Sequence, residues 1–349
     1  MINAALPELR PLRMGELLDQ AIRLYRKNFF NFIGIISLVY VPITLLPVFS
    51  SLLMYGSLQS AQTSPTFSLG SNYWAGIGLS LLSLVLQLIL VQGLGTAVLT
   101  RAIADNYLGR PTGILEAYKR VGSKWLRLLA AYLLGLLIIL AVCLWTIIPC
   151  VGWLTGGGLA FFLSLVVLPF VASAIVIEKV GASAGLRRAW DLARRRFWWL
   201  LGYMLLLTLF SQLIVTGPSY LVSYLVRVLI GNNGSYLTTT VAGTIAQTLT
   251  AIISGVLYLP LQLTAITLAY FDLRVRTEGF DMAMLATEAS SETGVEAASQ
   301  APVTKGSDPL LTWGQVGYFV AMTVGVVAIY FLIVAVVVGI AMATTSMLY

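Results

Sequence analysis

"GLRRAWDLARRRFWWLLGYMLLLTLF" (residues 185–210) sets five arginines directly against an apolar wall. At about 100° per residue, Leu186, Ala189, Trp190, Ala193 and Phe197 share one face of a helix. Arg187, Arg188, Asp191, Arg194 and Arg195 share the opposite face, with Asp191 four residues from Arg187 and from Arg195. The reading is an amphipathic helix with a basic polar face. Its flank decides where such a helix lies: Phe197 opens a run long enough to cross a bilayer. The helix is therefore expected at a membrane interface, its apolar face sunk a few ångströms into the headgroup boundary and its cations toward lipid phosphates.

Composition agrees. The chain has 349 residues, 58% hydrophobic and 10% charged, with a net charge of +7, and its mean hydropathy is +0.90. A soluble domain carries about a quarter of its residues charged. The sequence thus predicts an all-α, polytopic helical membrane protein. The start, "MINAALPELRPLRMGELLDQ" (1–20), is polar and contains acids before any apolar core, so no cleavable signal peptide is expected.

A spanning helix needs about 20 apolar residues. The runs at 30–54, 74–98, 126–148, 154–177, 197–216, 241–270 and 315–343 satisfy this. Residues 219–230 are too short to cross and read as an outer interfacial helix. Kinks are expected at Pro42, Pro47, Pro149, Pro169, Pro218 and Pro260. Arginine and lysine cluster before the first span, between the second and third, between the fourth and fifth, and after the sixth, whereas the alternate connections carry only Arg227. The positive-inside rule then places the N-terminus in the cytoplasm and, after seven spans, the C-terminus outside.

Three segments align without gaps. "LLDQAIRLYRKNFF" starts at Leu17, "GILEAYKRVGSKWL" at Gly113 and "GLRRAWDLARRRFW" at Gly185. Leu18, Ala21, Ile22, Tyr25 and Phe29 match Ile114, Ala117, Tyr118, Val121 and Trp125, and both match the stripe of the opening segment. Each copy reads as a basic amphipathic helix, a span out, an uncharged outer segment and a span back. That gives three parallel repeats, at about 12–110, 111–180 and 181–280. Together they form a membrane domain over 1–285. Residues 286–312 are polar, acidic and small, and read as a disordered linker. Residues 313–349 hold the last span, an appended tether outside the repeat.

The search for chemistry is mostly negative. Histidine is absent, which removes the commonest general base and metal ligand. Cys143 and Cys150, seven apart near a membrane exit, read as two membrane-buried thiols and not as a disulfide. "TGGGLA" (155–160) lacks a following G-K-[ST] and is expected to permit close helix packing. Glu178 and Asp272, at the ends of the fourth and sixth spans, are expected to pair at the interface with the neighbouring Lys179 and Arg274, and Asp272 and Glu278 to sit in a solvated charge cluster. Gln87, Gln92, Gln247, Thr248, Ser254 and Gln262 are the polar groups at depth; they read as glue between helices or as the lining of a polar lumen between spans two and six. No cofactor, metal or nucleic-acid partner is implied, and no enzyme activity.

Three stretches carry a resemblance. "LRPLRMGELLDQAIRLYRKNFFNFIGI" (9–35), "VIEKVGASAGLRRAWDLARRRFWWLLG" (176–202) and "AYFDLRVRTEGFDM" (269–282) resemble the bacterial glycerophosphoryl diester phosphodiesterase membrane domain family and related uncharacterised inner-membrane proteins. The phosphodiesterase barrel after which that family is named, and its H-E-x-R-G motif, are missing here, so the resemblance implies a bacterial cytoplasmic-membrane domain associated with lipid and not the enzyme activity.

The expected function is membrane organisation, by contact with anionic lipid headgroups or with a partner protein. The candidate residues are Arg23, Arg26, Lys27, Lys119, Arg120, Lys124, Arg187, Arg188, Arg194, Arg195 and Arg196. The alternative is a transporter or lipid-translocating protein with a path among the hairpins.

Overall fold

The computed structural model describes residues 10–63, 70–231, 236–287, 295–300 and 311–346. These residues are helical, with no strand among them, and seven of their helical segments are long and apolar enough to cross a membrane. They are Phe29–Leu58, Ser71–Tyr107, Lys124–Trp145, Val151–Glu178, Phe197–Ile230, Thr239–Glu278 and Trp313–Leu332. The chain is a multi-pass helical membrane protein, with spans where the apolar runs place them.

In chain order the helices are α1 (Met14–Lys27), α2 (Phe29–Thr63), α3 (Ser71–Leu86), α4 (Thr96–Tyr107), α5 (Ile114–Val121), α6 (Lys124–Trp145), α7 (Val151–Phe162), α8 (Leu168–Glu178), α9 (Ala182–Arg195), α10 (Phe197–Ser211), α11 (Gly217–Gly231), α12 (Tyr236–Glu278), α13 (Phe280–Thr287), α14 (Val295–Gln300) and α15 (Trp313–Ser346). Wider π-helical turns join α3 to α4 (Gln87–Gly95), α7 to α8 (Leu163–Val167) and α10 to α11 (Gln212–Thr216). Two of these have a proline cause. A proline ring clashes with the carbonyl four residues earlier. For Pro169 and Pro218 that carbonyl belongs to Leu165 and Ile214, each inside a π turn, and widening the helix there relieves the clash. Because the third turn is helical throughout, residues 219–230 run on from the fifth span instead of starting separately, and α11 packs along α12.

The three short helices α1, α5 and α9 dock on the protein itself. Ala21, Ala117 and Ala189, which align with one another, are 0%, 1% and 0% exposed. The apolar faces are therefore covered by spans, and not by the headgroup boundary. Register differs slightly from expectation: Leu17 is buried, while Ile22 and Ile114 are exposed. Each short helix rests on a span that ends at the same face. α5 packs on α4 and α9 on α8, the spans just before them, and α1 packs on α12, the last of the six, which closes a ring. The Tyr118 hydroxyl donates to the carbonyl of Ile35 at 2.8 Å, and the Tyr25 hydroxyl to that of Leu257 at 2.9 Å. Burial raises the pKa of both phenols, that of Tyr118 to about 12.

α15 packs along α7 on the outside of the bundle and is not merely tethered to it. Phe319 is buried against Phe162, Trp190 and Phe197. The glycine-rich turn of α7 permits this approach, since a Cβ on Gly158 would lie 2.1 Å from the carbonyl oxygen of Phe319. The Gly158 amide donates to Thr323 Oγ1 at 2.7 Å.

Candidate functional site

The ends of α4, α8 and α12 meet α1, α5 and α9 at one end of the bundle, where charge is concentrated and much of it buried. Arg101, Asp105, Glu178, Arg188, Asp272 and Arg274 are all buried. The apolar run at 74–98 stops short of Arg101, yet the helix continues to Tyr107 and carries Arg101 and Asp105 into the packing. A charge buried in apolar surroundings is costly unless paired and hydrogen-bonded.

Most of these charges are paired across helices. Arg188 Nε lies 2.9 Å from Glu178 Oε1 and 3.0 Å from Oε2, and its Nη2 meets Glu278. Arg274 Nε lies 3.2 Å from Glu278 and 3.5 Å from Glu178, and the guanidinium sits 4.3 Å above the Phe280 ring. The Tyr270 hydroxyl donates to Glu178. Burial opposes the charge on Arg188, but its bond to Glu278 and the charges of Glu178 and Glu278 outweigh that and hold its pKa above the ordinary arginine value.

Asp272 accepts the Leu12 amide at 2.8 Å and Arg276 Nε at 2.8 Å, while Arg276 also reaches the Leu12 carbonyl, fixing the chain before α1. Asp272 and Glu278 are thus not solvated, contrary to expectation; each is neutralised inside the protein. At the start of α1, the Arg13 amide donates to Glu16 at 2.9 Å and holds that carboxyl below its usual range.

The eleven candidate cations divide. Arg23, Arg26, Lys27, Lys119, Arg187 and Arg195 are exposed; Arg120, Lys124, Arg194 and Arg196 are intermediate. Arg188 is a correction: it turns inward, because its place beside the apolar stripe brings it to Glu178 and Glu278. Arg194 pairs with Asp191 at 3.0 Å, and Arg196 lies 5.6 Å from the Trp199 ring.

A second correction concerns residues 286–312. Residues 288–294 and 301–310 lie outside the described residues, but α14 between them is an ordered, docked helix. Val295 and Ala298 are fully buried, the Val295 amide donates to Asp105 Oδ1 at 3.0 Å, and Glu296 meets Arg101 and Arg110. Composition hid a segment of six residues whose small side chains fit a gap and whose acid found a cation.

Midway along the spans lies a cavity of about 530 Å³, walled by five of them. Gln87, Gln92 and Gln262 line it with Tyr40 and Tyr132. Among the described residues none of these three amides hydrogen-bonds across to another helix, and Gln87 and Gln92 are exposed. Gln247, Thr248 and Ser254 do not line it, and Thr248 bonds back to its own helix. Cys143 and Cys150 are free and exposed. No three potential metal-ligating side chains gather among the described residues.

Residues 15–273 match the model of a family described as a domain of unknown function (DUF7847). The chain belongs to this family. No curated protein and no solved structure matches it. The family's span runs from α1 to residue 273 of α12, so it takes in all three short helices, the buried charges Arg101, Asp105, Glu178, Arg188 and Asp272, and the cavity, while Arg274 and Glu278 lie just past it. α14 and α15 lie beyond it.

Proposed function

We propose that this DUF7847 member is a non-catalytic bacterial inner-membrane protein that gathers anionic phospholipid headgroups at the charged end of its bundle. One observation carries the reading: the acids Asp105, Glu178, Asp272 and Glu278 are paired inside, while Arg23, Arg26, Lys27, Lys119, Arg187 and Arg195 remain exposed. That end therefore shows an excess of positive charge to the outside, and each such cation near an anionic surface contributes on the order of 1 kcal/mol. The N-terminus and this end lie in the cytoplasm by charge placement, and the C-terminus outside. The closed ring of α1 on α12, α5 on α4 and α9 on α8 supports three parallel repeats. The resemblance of 9–35, 176–202 and 269–282 to the glycerophosphoryl diester phosphodiesterase membrane domain supports an association with lipid.

The test is native mass spectrometry of protein extracted gently from mixed phosphatidylglycerol and phosphatidylcholine nanodiscs. The wild type is expected to retain phosphatidylglycerol selectively, and a variant with the six exposed cations changed to Gln is expected to lose the preference. Equal retention of both lipids by the wild type rules the reading out.

The cavity supports a second reading, a transporter or lipid translocator. Mid-span amides that bond to no other helix are costly in hydrocarbon, and a path for a polar group would account for them. Reconstituted vesicles that move neither a labelled lipid nor a small neutral solute count against it.

A further inference from the structure

We propose that Arg101, Arg110 and Arg120 form a binding site for a phosphate-bearing anion, and that Glu296 of α14 occupies it as a tethered competitor. The proposal deepens the headgroup reading by naming a built site and an internal occupant.

The first argument is charge. Arg101 and Arg110 pair with Glu296, Arg101 and Arg120 with Asp105, and Arg120 with Glu116, and the charges of Lys124 and Lys179 also act on Glu296. The second is unfilled donors. Arg101 is 1% exposed, with Nε held by Asp105 at 3.0 Å and Nη2 by Glu296. Its Nη1 is buried with no hydrogen-bond partner, and so is Nη1 of Arg120, 3.8 Å from Asp105. A carboxylate offers two oxygens and here reaches only Arg101 and, at 3.4 Å, Arg110. A phosphate offers three acceptor oxygens and more charge, and guanidinium forks match it.

The third argument is that the occupant can leave. α14 has six residues, too few for a helix to be stable alone. Its contacts include two buried apolar side chains, one bond to Asp105 and the Glu296 pairs. Its acid is one-third exposed, so an anion has access to the same donors.

The test is isothermal titration of the full-length protein in non-ionic detergent with inorganic phosphate and with dihexanoyl phosphatidic acid, with dihexanoylglycerol as the phosphate-free control. Glu296→Gln keeps the shape of the side chain and removes its charge. It is expected to bind at least one phosphate-bearing probe about tenfold more tightly than the wild type. Adding Arg110→Ala, at a half-exposed position, is expected to cancel the gain. Binding of both phosphate probes marks a site for free phosphate, and binding of the lipid alone marks a headgroup site; either supports the proposal. Equal binding by Glu296→Gln and wild type, or a gain that survives Arg110→Ala, overturns it. Neutralising Arg23, Arg26 and Lys27 is expected to leave the gain intact, so this site and the exposed cations can fail separately.

Discussion

Arg188 of α9 lies 2.9 and 3.0 Å from the two carboxylate oxygens of Glu178 at the end of α8, with both side chains almost wholly buried. Breaking such a pair leaves an uncompensated charge inside, which typically costs about 3–5 kcal/mol. Arg188→Ala leaves Glu178 with Tyr270 and a more distant Arg274, and Glu278 with Arg274 alone. It is expected to lower thermal stability in detergent sharply. Arg187→Ala, one residue away and exposed, is expected to stay within about 0.5 kcal/mol of the wild type.

The seventh span depends on one glycine. A Cβ at Gly158 meets backbone, the Phe319 carbonyl, which cannot swing aside as a flexible side chain can. Gly158→Ala is expected to cost about 1–3 kcal/mol and to expose α15 to limited proteolysis. Gly202→Ala, where nothing lies within 4 Å of the added carbon, is expected to leave α15 docked and to stabilise slightly through helix propensity.

Docking of α14 is expected to depend on acid. Burial pushes the Glu296 pKa up, but the hydrogen bond and charge of Arg101, with help from Lys179, outweigh it and bring the value below the ordinary 4.5. Arg110 pairs with the same carboxylate, the charge of Lys124 acts on it, and Asp105, with Arg120 beside it, holds Arg101 from the other side. A depressed carboxylate contributes stability above its unfolded value and loses it as pH falls through the folded one. The protection of the 295–300 amides against hydrogen exchange, relative to the intrinsic rate at each pH, is therefore expected to be high at pH 7 and to fall below about pH 4.5. In Glu296→Gln that pH step should vanish.

Apolar length alone located the seven spans, because crossing a bilayer leaves a long, charge-free run. The aligned stripe also found Ala21, Ala117 and Ala189, since 3.6-residue periodicity marks the covered face whatever covers it. It could not say that protein, and not lipid, does the covering. Nor could it see that Arg188 turns inward: its partners Glu178 and Glu278 are 10 and 90 residues away, and helical angles carry no information about them. One signal was present. Arg101 with Asp105, Asp272 with Arg276 and Arg274 with Glu278 are each four apart, the spacing by which a helix neutralises its own charges when it is buried. α14 gave no such signal, as its acid pairs with cations on another part of the chain 186 and 195 residues away.

The central claim, that α1, α5 and α9 gather their cations on the cytoplasmic side, is tested most directly by thiol labelling in intact cells. The background carries Cys143→Ser and Cys150→Ser, since both thiols are exposed. Single cysteines replace Arg23, Lys119 and Arg195, all exposed. The account predicts that a membrane-impermeant maleimide labels none of the three until the cells are opened, and then labels all three. Labelling of any one of them from outside, with the others protected, contradicts it.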